Sequence, residues 1–275
     1  MKTRESLGKN GSLILNEMAQ LDKAVFTIAE AKKATKLENN ILKETLSQLV
    51  KKKWLMRLER GLYLIVPFEA GQEGRWTSDP FVLASKLITP YYIAYWSAVS
   101  HWGWTEQLPS TVFIASPSRK FVNEKTILNI TFRFIKISED KFFGINEEWV
   151  ANKKIKFSDK EKTIVDILDK PELSGGIKEV AKCLRNAFNE KQVNPQILTD
   201  YIRKANNNAV FKRLGYICEV LEIFDQNWRN TWQGFISKGY SRLDPTVNKA
   251  KNKFNSAWQL IINVSKDELK KVVEE

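Results

Sequence analysis

The sequence predicts an α+β protein, with a small N-terminal domain of helices and a hairpin and a larger mixed α/β domain with an antiparallel sheet and several helices. The chain has 275 residues, which is ample for two domains. The helical spacing of apolar residues changes at 54–66 to an alternation of apolar and polar residues. Residues 67–79 contain two glycines and a proline, as is typical of a linker. We therefore predict domains at 1–66 and 80–275.

The first domain is predicted to begin with three helices. Apolar residues at helical spacing place the first helix near 11–21. Thr27 can cap a second helix at 28–34, because Glu30 three residues later completes a capping box. After a turn, a third helix covers 38–53, and its apolar face carries Leu42, Leu46, Leu49 and Val50.

The third helix is followed by a predicted β-hairpin. Residues 54–58 and 62–66 form its strands, and Gly61 between them supplies the positive φ that a tight turn needs. A helix, a turn, a second helix and a hairpin in this order are the signature of a winged helix-turn-helix. Such a module usually sets one helix into the major groove of DNA.

The polar side chains of the third helix and the hairpin are the candidates for DNA contact. Asparagine can pair with adenine, lysine can donate to guanine or phosphate, and arginine is favoured in the minor groove. A solvated amphipathic helix and a charged surface hairpin are the alternative interpretation. We favour DNA contact because the hairpin directly follows the helix. The candidate residues are Lys36, Asn39, Asn40, Lys43, Ser47, Lys51, Lys53, Arg57 and Arg60.

The charge of the chain also favours an anionic partner. It carries 44 Lys and Arg against 32 Asp and Glu, a net charge of +12. Residues 1–66 hold 13 Lys and Arg and 7 Asp and Glu, so half of the net charge lies in about a quarter of the chain. We therefore expect double-stranded DNA as the partner of the first domain.

The cysteines and the apolar segments indicate a cytoplasmic protein. Cys183 and Cys218 lie on apolar faces of predicted helices without a CxxC spacing, which favours free buried thiols in a reducing compartment. Residues 1–11 are polar, so we expect no secretory leader. The most apolar stretch, 81–99, is interrupted by a lysine and a proline and is too short to span a membrane.

The larger domain is predicted to contain strands rich in β-branched and aromatic residues, followed mainly by helices. Ser158 and Glu161 form a capping pattern that begins the helical part. The tail at 266–275 is either a charged helix end or disordered. The predicted helices are 80–88, 91–102, 158–169, 176–190, 195–206 and 209–224, and the predicted strands are 112–116, 127–137, 154–157 and 258–264.

Catalytic motifs are weak in this sequence. His101 is the single histidine, which excludes His-paired nucleophiles and multi-His metal sites and favours a packing role. A metal-dependent nuclease would need carboxylates such as Asp159, Glu161 and Asp166, but Glu161 does not share a helix face with the other two. We predict no catalytic residue, no metal and no cofactor, and an enzyme acting on nucleic acid is the weaker alternative.

Two features of the larger domain have alternative functional interpretations. The aromatic segment 91–104 is interpreted as core or interface, and the alternative is the pocket of a ligand-responsive regulator. A group of cations is interpreted as a solvated face, and the alternative is a second surface for nucleic acid or for a toxin. These cations are Lys153, Lys154, Lys156, Lys160, Lys162, Lys212 and Arg213.

The order of several segments resembles the AbiEi antitoxin family, the antitoxin-repressor half of the AbiE abortive-infection toxin–antitoxin systems. These segments are LVKKKWLMRLERGLY at 49–63, YWSAVSHWGWTEQLP at 95–109, FSDKEKTIVD at 157–166 with the Lys170–Glu172 and Gly175–Gly176 that follow, and FKRLGYICE at 211–219. The resemblance implies a winged N-terminal domain that binds inverted repeats at its own promoter. It also implies a C-terminal domain that counters a cognate nucleotidyltransferase-like toxin, directly or indirectly. The alternative is a stand-alone ligand-responsive regulator without a toxin.

Overall fold

The computed structural model describes residues 5–67, 79–107, 110–223, 226–248 and 253–274. It has an α+β fold, as predicted. The chain divides between Asp79 and Pro80 into two units, which we call the N-terminal unit and the C-terminal unit. The predicted linker at 67–79 lies outside the described residues, except for its first and last residues.

The N-terminal unit contains the three helices and both hairpin strands that the sequence predicts. In chain order its elements are α1 (Gly8–Gln20), β1 (Val25–Thr27), α2 (Ile28–Thr35), α3 (Asn39–Lys51), β2 (Leu55–Glu59) and β3 (Leu62–Ile65). The three strands form an antiparallel sheet of order β1-β3-β2. Strand β1 was not predicted, because three residues are too few to show an alternation.

The core of the N-terminal unit fixes the orientation of α3. Leu42, Leu46 and Leu49 are buried, and they pack in one cluster with Ile14 of α1 and Phe26 of β1. Burying one such side chain contributes about 1.5–3 kcal/mol, so the three leucines together determine which side of α3 faces inward. The opposite side of α3 faces solvent.

The start of α2 is fixed by the predicted capping box. Glu30 N donates to Thr27 Oγ1 at 3.2 Å, and Thr27 N donates to Glu30 Oε2 at 2.7 Å. Lys23 also pairs with Glu30. Burial acts to raise the pKa of Glu30, but the hydrogen bonds from Lys23 and Thr27 lower it from 4.5 to about 2. Glu30 is therefore a charged part of the fold at neutral pH.

The C-terminal unit contains a larger sheet and eight helices among its described residues. None of the helices of the described chain is both long enough and apolar enough to cross a bilayer. Its elements are α4 (Pro80–Leu87), β4 (Tyr92–Ile93), α5 (Tyr95–His101), β5 (Thr111–Ser116), β6 (Glu124–Ile127), β7 (Ile130–Lys136), β8 (Ile145–Val150), β9 (Lys153–Ser158), α6 (Lys160–Asp169), α7 (Ile177–Asn189), α8 (Pro195–Ala205), α9 (Asn208–Leu221), α10 (Gln226–Gln233), β10 (Ser241–Arg242), β11 (Lys253–Asn255), β12 (Leu260–Ile262) and α11 (Lys266–Glu274).

The main sheet of the C-terminal unit is mixed rather than purely antiparallel. Its strand order is β6-β7-β5-β4-β9-β8. The pairs β5/β7 and β4/β9 are parallel, and the other three pairs are antiparallel. Strands β10, β11 and β12 form a separate small sheet. The expectation of an antiparallel sheet was therefore wrong for two of the five strand pairs of the main sheet.

Two predicted elements are each divided into two. The predicted helix 91–102 begins as the strand β4, and the backbone turns at Tyr95, with φ +53°, as α5 begins. The predicted strand 127–137 is the end of β6 and the whole of β7. They are joined by Leu128 and Asn129, both with positive φ, as a two-residue hairpin requires.

The N-cap of α6 lies one residue later in the chain than the predicted one. Asp159 is the N-cap, because its Oδ1 accepts a hydrogen bond from Lys162 N at 2.7 Å. Ser158 ends β9 and is buried. Both residues are good capping types, so the sequence pattern alone could not choose between them.

The main core of the C-terminal unit includes one face of the sheet and helices α6 to α9. Cys183 and Cys218 lie in this core as free thiols, as predicted, and burial raises the pKa of both. Gly215 of α9 lies against the ring of Trp258. A Cβ added there would stand 2.0 Å from a ring carbon, so only glycine fits.

Candidate nucleic-acid interface

The solvent side of α3 carries a stripe of polar residues. Asn40, Glu44, Ser47 and Lys51 follow one another at intervals of four, three and four residues, which places them along one side of the helix. All four are exposed, whereas the leucines on the opposite side are buried. We call these four residues the α3 stripe.

Three further candidates lie at the start of α3 and in the turn before it. Asn39 is the first residue of α3, Lys43 lies one turn later, and both are exposed beside the stripe. Lys36 ends α2 in the left-handed conformation, with φ +55°, and is also exposed. Its N–H donates to Lys32 O at 2.9 Å, which fixes the turn between the two helices.

The hairpin carries the two arginine candidates, and both are exposed. Gly61 has φ +81°, as its turn position predicts. Its carbonyl accepts a hydrogen bond from Ile28 N at 3.0 Å, which attaches the turn to the start of α2. Arg60 is therefore brought to α2 by the hairpin, while Arg57 Nε donates to Glu59 O at 3.3 Å along the strand.

The three consecutive lysines after Val50 have different surroundings. Lys51 belongs to the α3 stripe, and Lys53 is exposed with φ +61°. Lys52 is partly buried, and its Nζ donates to Ser6 O at 2.8 Å. Glu5 contributes a carboxylate at 3.9 Å from the same Nζ. Lys52, which was not a candidate, thus anchors the N-terminal segment, and all nine candidates are exposed.

Two exposed polar residues of α3, Glu44 and Gln48, were missed as candidates. Gln48 Nε2 lies 3.4 Å from Glu44 Oε1, and both side chains are exposed. Glutamine can pair with adenine in the same way as asparagine, and a glutamate can accept a hydrogen bond from cytosine. The position of Gln48 one turn after Glu44, away from the leucines, is the signal that could have found it.

Lys162 is not part of a basic surface in the C-terminal unit, contrary to the solvated face that the sequence indicated. Its side chain is 1 % exposed, pairs with Asp166 and donates to Tyr92 Oη at 3.0 Å. Burial raises the pKa of the Asp166 carboxyl. The prediction was wrong because α6 is buried on nearly all sides, so its cation needs an internal partner.

Lys212 and Arg213 of α9 are also buried, again contrary to a solvated face. Lys212 Nζ donates to Gly239 O at 2.6 Å, and Arg213 Nη1 donates to Leu168 O at 2.6 Å. Arg213 makes two further bonds to Arg242 O at 3.3 Å. These cations hold segments of the C-terminal unit together.

The four remaining lysines of the group, at 153–160, stay at the surface or close to it. Lys154 and Lys156 are exposed on β9, and Lys154 lies 3.7 Å from Glu147 of the neighbouring strand. Lys153 and Lys160 are partly buried, and Lys160 lies over the ring of Trp102. Some of these four lysines therefore face solvent, and the others make structural contacts.

The three carboxylates considered for a nuclease have structural partners. Asp159 accepts from Tyr201 Oη at 2.9 Å besides capping α6. Glu161 Oε1 accepts from Asn194 N at 2.7 Å, and Asp166 pairs with Lys162. Within the described part of the chain, no group of His, Cys, Asp and Glu is arranged to hold a metal ion.

The aromatic segment 91–104 mainly fills the core. Its buried rings belong to Tyr91, Tyr92, Tyr95, Trp96 and Trp104. His101 stacks on Phe157 with 3.8 Å between ring centroids, as its expected packing role implies. Trp96 also borders an open cleft of about 310 Å³, together with Thr111 and Glu172.

Comparisons with known proteins support the fold. No family model matches the chain, and no curated protein sequence matches it. Among solved structures, it is similar to the crystal structure of the RV2827C protein from Mycobacterium tuberculosis, with a TM-score of 0.69 and 14 % sequence identity. The match covers 97 % of this chain and 95 % of that chain. At this level of identity the likeness shows a shared α+β fold.

Proposed function

We propose that the N-terminal unit is a winged helix-turn-helix and that the chain represses its own toxin–antitoxin operon. In this proposal α3 is the recognition helix, and the hairpin of β2 and β3 is the wing. The ligand is double-stranded DNA that carries inverted repeats in the promoter. The proposal assigns no catalytic step, metal or cofactor to the chain.

The exposure of all nine candidate residues is the observation that carries this proposal. The α3 stripe combines an amide, a carboxylate, a hydroxyl and a lysine on the side opposite the buried leucines. Amide groups read base edges, and lysines bind phosphates or guanine. The first turn and a half of α3, with Asn39, Asn40 and Lys43, has the residue types that a recognition helix needs in the major groove.

The remaining candidates suit the phosphate backbone. Lys36 lies in the turn before α3, and Arg60 lies in a turn bonded to the start of α2. In helix-turn-helix modules the first helix of the motif crosses the backbone. We therefore assign Asn40 to base recognition, and Lys36 and Arg60 to phosphate contact.

A binding assay on the promoter tests these assignments. The full chain is titrated with a duplex of its own upstream region over a salt series. Arg60→Ala should weaken binding to every sequence and lower the slope of log K against log salt by about 0.9. Asn40→Ala should change the preference at one base pair by about 1–3 kcal/mol.

Lys9→Ala is the matched control for charge. Lys9 is exposed on α1, the helix that packs on the buried side of α3. This variant should leave both the affinity and the base preference unchanged. Unchanged binding in both Arg60→Ala and Asn40→Ala, or an equal loss in Lys9→Ala, would contradict the assigned surface.

We also propose that the chain acts as an antitoxin against a nucleotidyltransferase-like toxin. The four ordered segments that resemble the AbiEi family support this role. Co-expression with the toxin encoded next to the gene should restore growth of cells that the toxin arrests. Absence of rescue by a folded, DNA-binding chain contradicts the antitoxin role and favours the stand-alone regulator.

We assign this function to the cytoplasm. The two free thiols fit a reducing compartment. Fractionation of cells that express the tagged chain tests the assignment, and recovery outside the cytoplasmic fraction would contradict it.

A further inference from the structure

A loop between β5 and β6 of the C-terminal unit exposes an aromatic ring beside two cations. The loop covers residues 117–123 and carries Arg119 and Lys120 immediately before Phe121. Phe121 is fully exposed, and Val122 after it is 48 % exposed. A phenylalanine ring left wholly in water contributes little to folding, so its face is available for a contact with another molecule.

The loop is held in place at both ends. Ser118 N donates to Ser116 Oγ at 3.0 Å, and Ser116 Oγ itself donates to Pro90 O. At the other end, Phe134 N of β7 donates to Asn123 O at 2.8 Å. The residues between these anchors are therefore presented from a fixed frame, which lowers the entropy cost of binding.

A small basic cleft lies beside this loop. Its volume is about 90 Å³, and its polar lining comes from Arg119, Lys120, Lys136, Ser116, Ser118 and Asn123. None of the described residues that line it carries a carboxylate. The cleft lies where the parallel strands β5 and β7 end, and ligands of α/β sheets bind at the carboxyl ends of such strands.

The acidic residue that follows the loop lies on the other face of the sheet. Glu124 pairs in register with Arg133, and their side chains form an ion pair at 3.9 Å. Because neighbouring residues of a strand alternate between faces, Arg133 lies opposite to Phe134 and Lys136, although Ile135 also lines the cleft. Glu124 is paired with Arg133 and is not among the described residues that line the cleft.

The size of the cleft limits what it can hold. Pockets that enclose a whole drug-sized ligand measure roughly 300–1,000 Å³, so this cleft has room for one small group only. Arg119, Lys136 and Asn123 supply the cationic and amide donors that suit a phosphate group. Lys120 Nζ already donates to Leu87 O, and the hydroxyls of Ser116 and Ser118 donate to Pro90 O and Thr89 O. The rest of a phosphorylated ligand must lie outside the cleft, which is bordered by the loop that carries Phe121.

We propose that this loop binds single-stranded nucleic acid, with one backbone phosphate in the cleft and one base stacked on Phe121. Arg119 and Lys136 supply charge to the phosphate, as in proteins that track a strand by its backbone. Stacking on a side chain requires an unpaired base with a free face, which a closed duplex does not offer. This activity is distinct from the promoter binding proposed for the N-terminal unit.

Fluorescence anisotropy with a labelled oligothymidylate of about 12 nucleotides tests the proposal on the full chain. The unsubstituted chain should bind it, with an affinity that falls as salt rises. Arg119→Ala and Lys136→Ala should each lower the salt slope by about 0.7. Phe121→Ala should weaken binding about tenfold with an unchanged salt slope. Phe121→Trp should bind as tightly as the unsubstituted chain, because it keeps an aromatic ring.

Two control variants test whether the effects are specific to the loop. Phe254→Ala removes another exposed aromatic ring, and Lys238→Ala removes another exposed cation of the same unit. Both should leave the affinity unchanged, as should Arg60→Ala in the N-terminal unit. Thermal denaturation of Phe121→Ala should match the unsubstituted chain, because the lost ring is fully exposed.

Several results would overturn the proposal. These are no binding of the oligothymidylate, or equal losses in the Phe254 and Phe121 variants. Loss of single-strand binding in Arg60→Ala alone would assign that binding to the N-terminal unit. Promoter affinity, measured in parallel, separates a failure here from a failure of the repressor proposal.

Discussion

The cations of the two units have different surroundings, although both sets come from segments rich in lysine and arginine. In the N-terminal unit the six candidate cations are all exposed. In the C-terminal unit Lys162, Lys212 and Arg213 are buried and donate to carboxylate, hydroxyl or carbonyl oxygens. The comparison teaches that a basic helix predicts an anionic partner only where the fold leaves its cations in solvent.

The difference follows from how each helix is packed. Helix α3 buries three leucines on one side only, whereas ten of the fourteen residues of α9 are buried. A helix buried on nearly all sides has no solvent side for its charged residues. Its cations must therefore find oxygen atoms inside the unit, where they act as structural anchors.

The largest effect is expected from removing a buried cation. Lys162→Ala leaves the Asp166 carboxylate buried without its partner, so the C-terminal unit should lose about 3–5 kcal/mol of unfolding free energy. Urea denaturation of the full chain measures this. Replacing both partners, as Lys162→Met with Asp166→Leu, should recover most of the loss, because no unpaired charge remains.

The exposed Lys51 of the α3 stripe is the control for that experiment. Lys51→Ala should change the unfolding free energy by less than about 0.5 kcal/mol. If Lys162→Ala were no more destabilising than Lys51→Ala, the contrast between the two sets of cations would be lost.

Two glycines extend the same comparison to packing. A Cβ at Gly215 would stand 2.0 Å from the buried Trp258 ring, while a Cβ at Gly11 would stand 3.0 Å from the end of the Leu49 side chain. Gly215→Ala should therefore cost about 1–3 kcal/mol or more. Gly11→Ala should be close to neutral, since Leu49 can shift slightly and alanine favours the helix. Thermal denaturation of both variants measures the difference. Equal losses of stability would contradict the difference expected between the two contacts.

The capping box should make the stability of the N-terminal unit depend on pH in the acid range. The pKa of Glu30 is about 2 in the fold and 4.5 ordinarily, so its charge stabilises the fold above about pH 4.5. That stabilisation is lost as the pH falls from 4.5 to about 2. Denaturation midpoints of the unsubstituted chain and of Glu30→Gln should differ at neutral pH and converge near pH 2. A difference that did not change with pH would exclude the charge as its cause.

The smallest effect on stability should accompany a clear effect on binding. Lys51→Ala, nearly neutral for folding, should lower the salt slope of promoter binding by about 0.9. A titration of the promoter duplex at several salt concentrations measures this slope. An unchanged slope would remove Lys51 from the phosphate contacts and restrict the surface to the first half of α3 and the hairpin.

Much of the N-terminal unit could be predicted because its determinants are local. The capping box joins Thr27 to Glu30, and the leucines of α3 recur every three or four residues. Gly61 marks its turn by residue type alone. The exposure of the candidates on α3 follows from the same periodicity. The leucines occupy the buried side of the helix, so the residues between them face solvent.

The C-terminal unit was less predictable because its determinants are distant in sequence. Tyr92–Ile93 is a strand because it pairs with β5 on one side and β9 on the other. Arg213 is buried because it donates to a carbonyl 45 residues earlier in the chain. The phosphate-sized cleft beside the loop at 117–123 depends on β5 and β7 being parallel neighbours. No short window of sequence contains these relationships.

The bonds from α9 to the carbonyls of Gly239 and Arg242 determine where the protein can be cut. A truncation ending before residue 239 would remove these acceptors and leave ammonium and guanidinium groups embedded in apolar surroundings. Such shortened proteins should aggregate, whatever activity the missing segment has. Deletion mapping of the two activities therefore belongs at the boundary between Asp79 and Pro80, and loss of function in a C-terminal deletion reports misfolding.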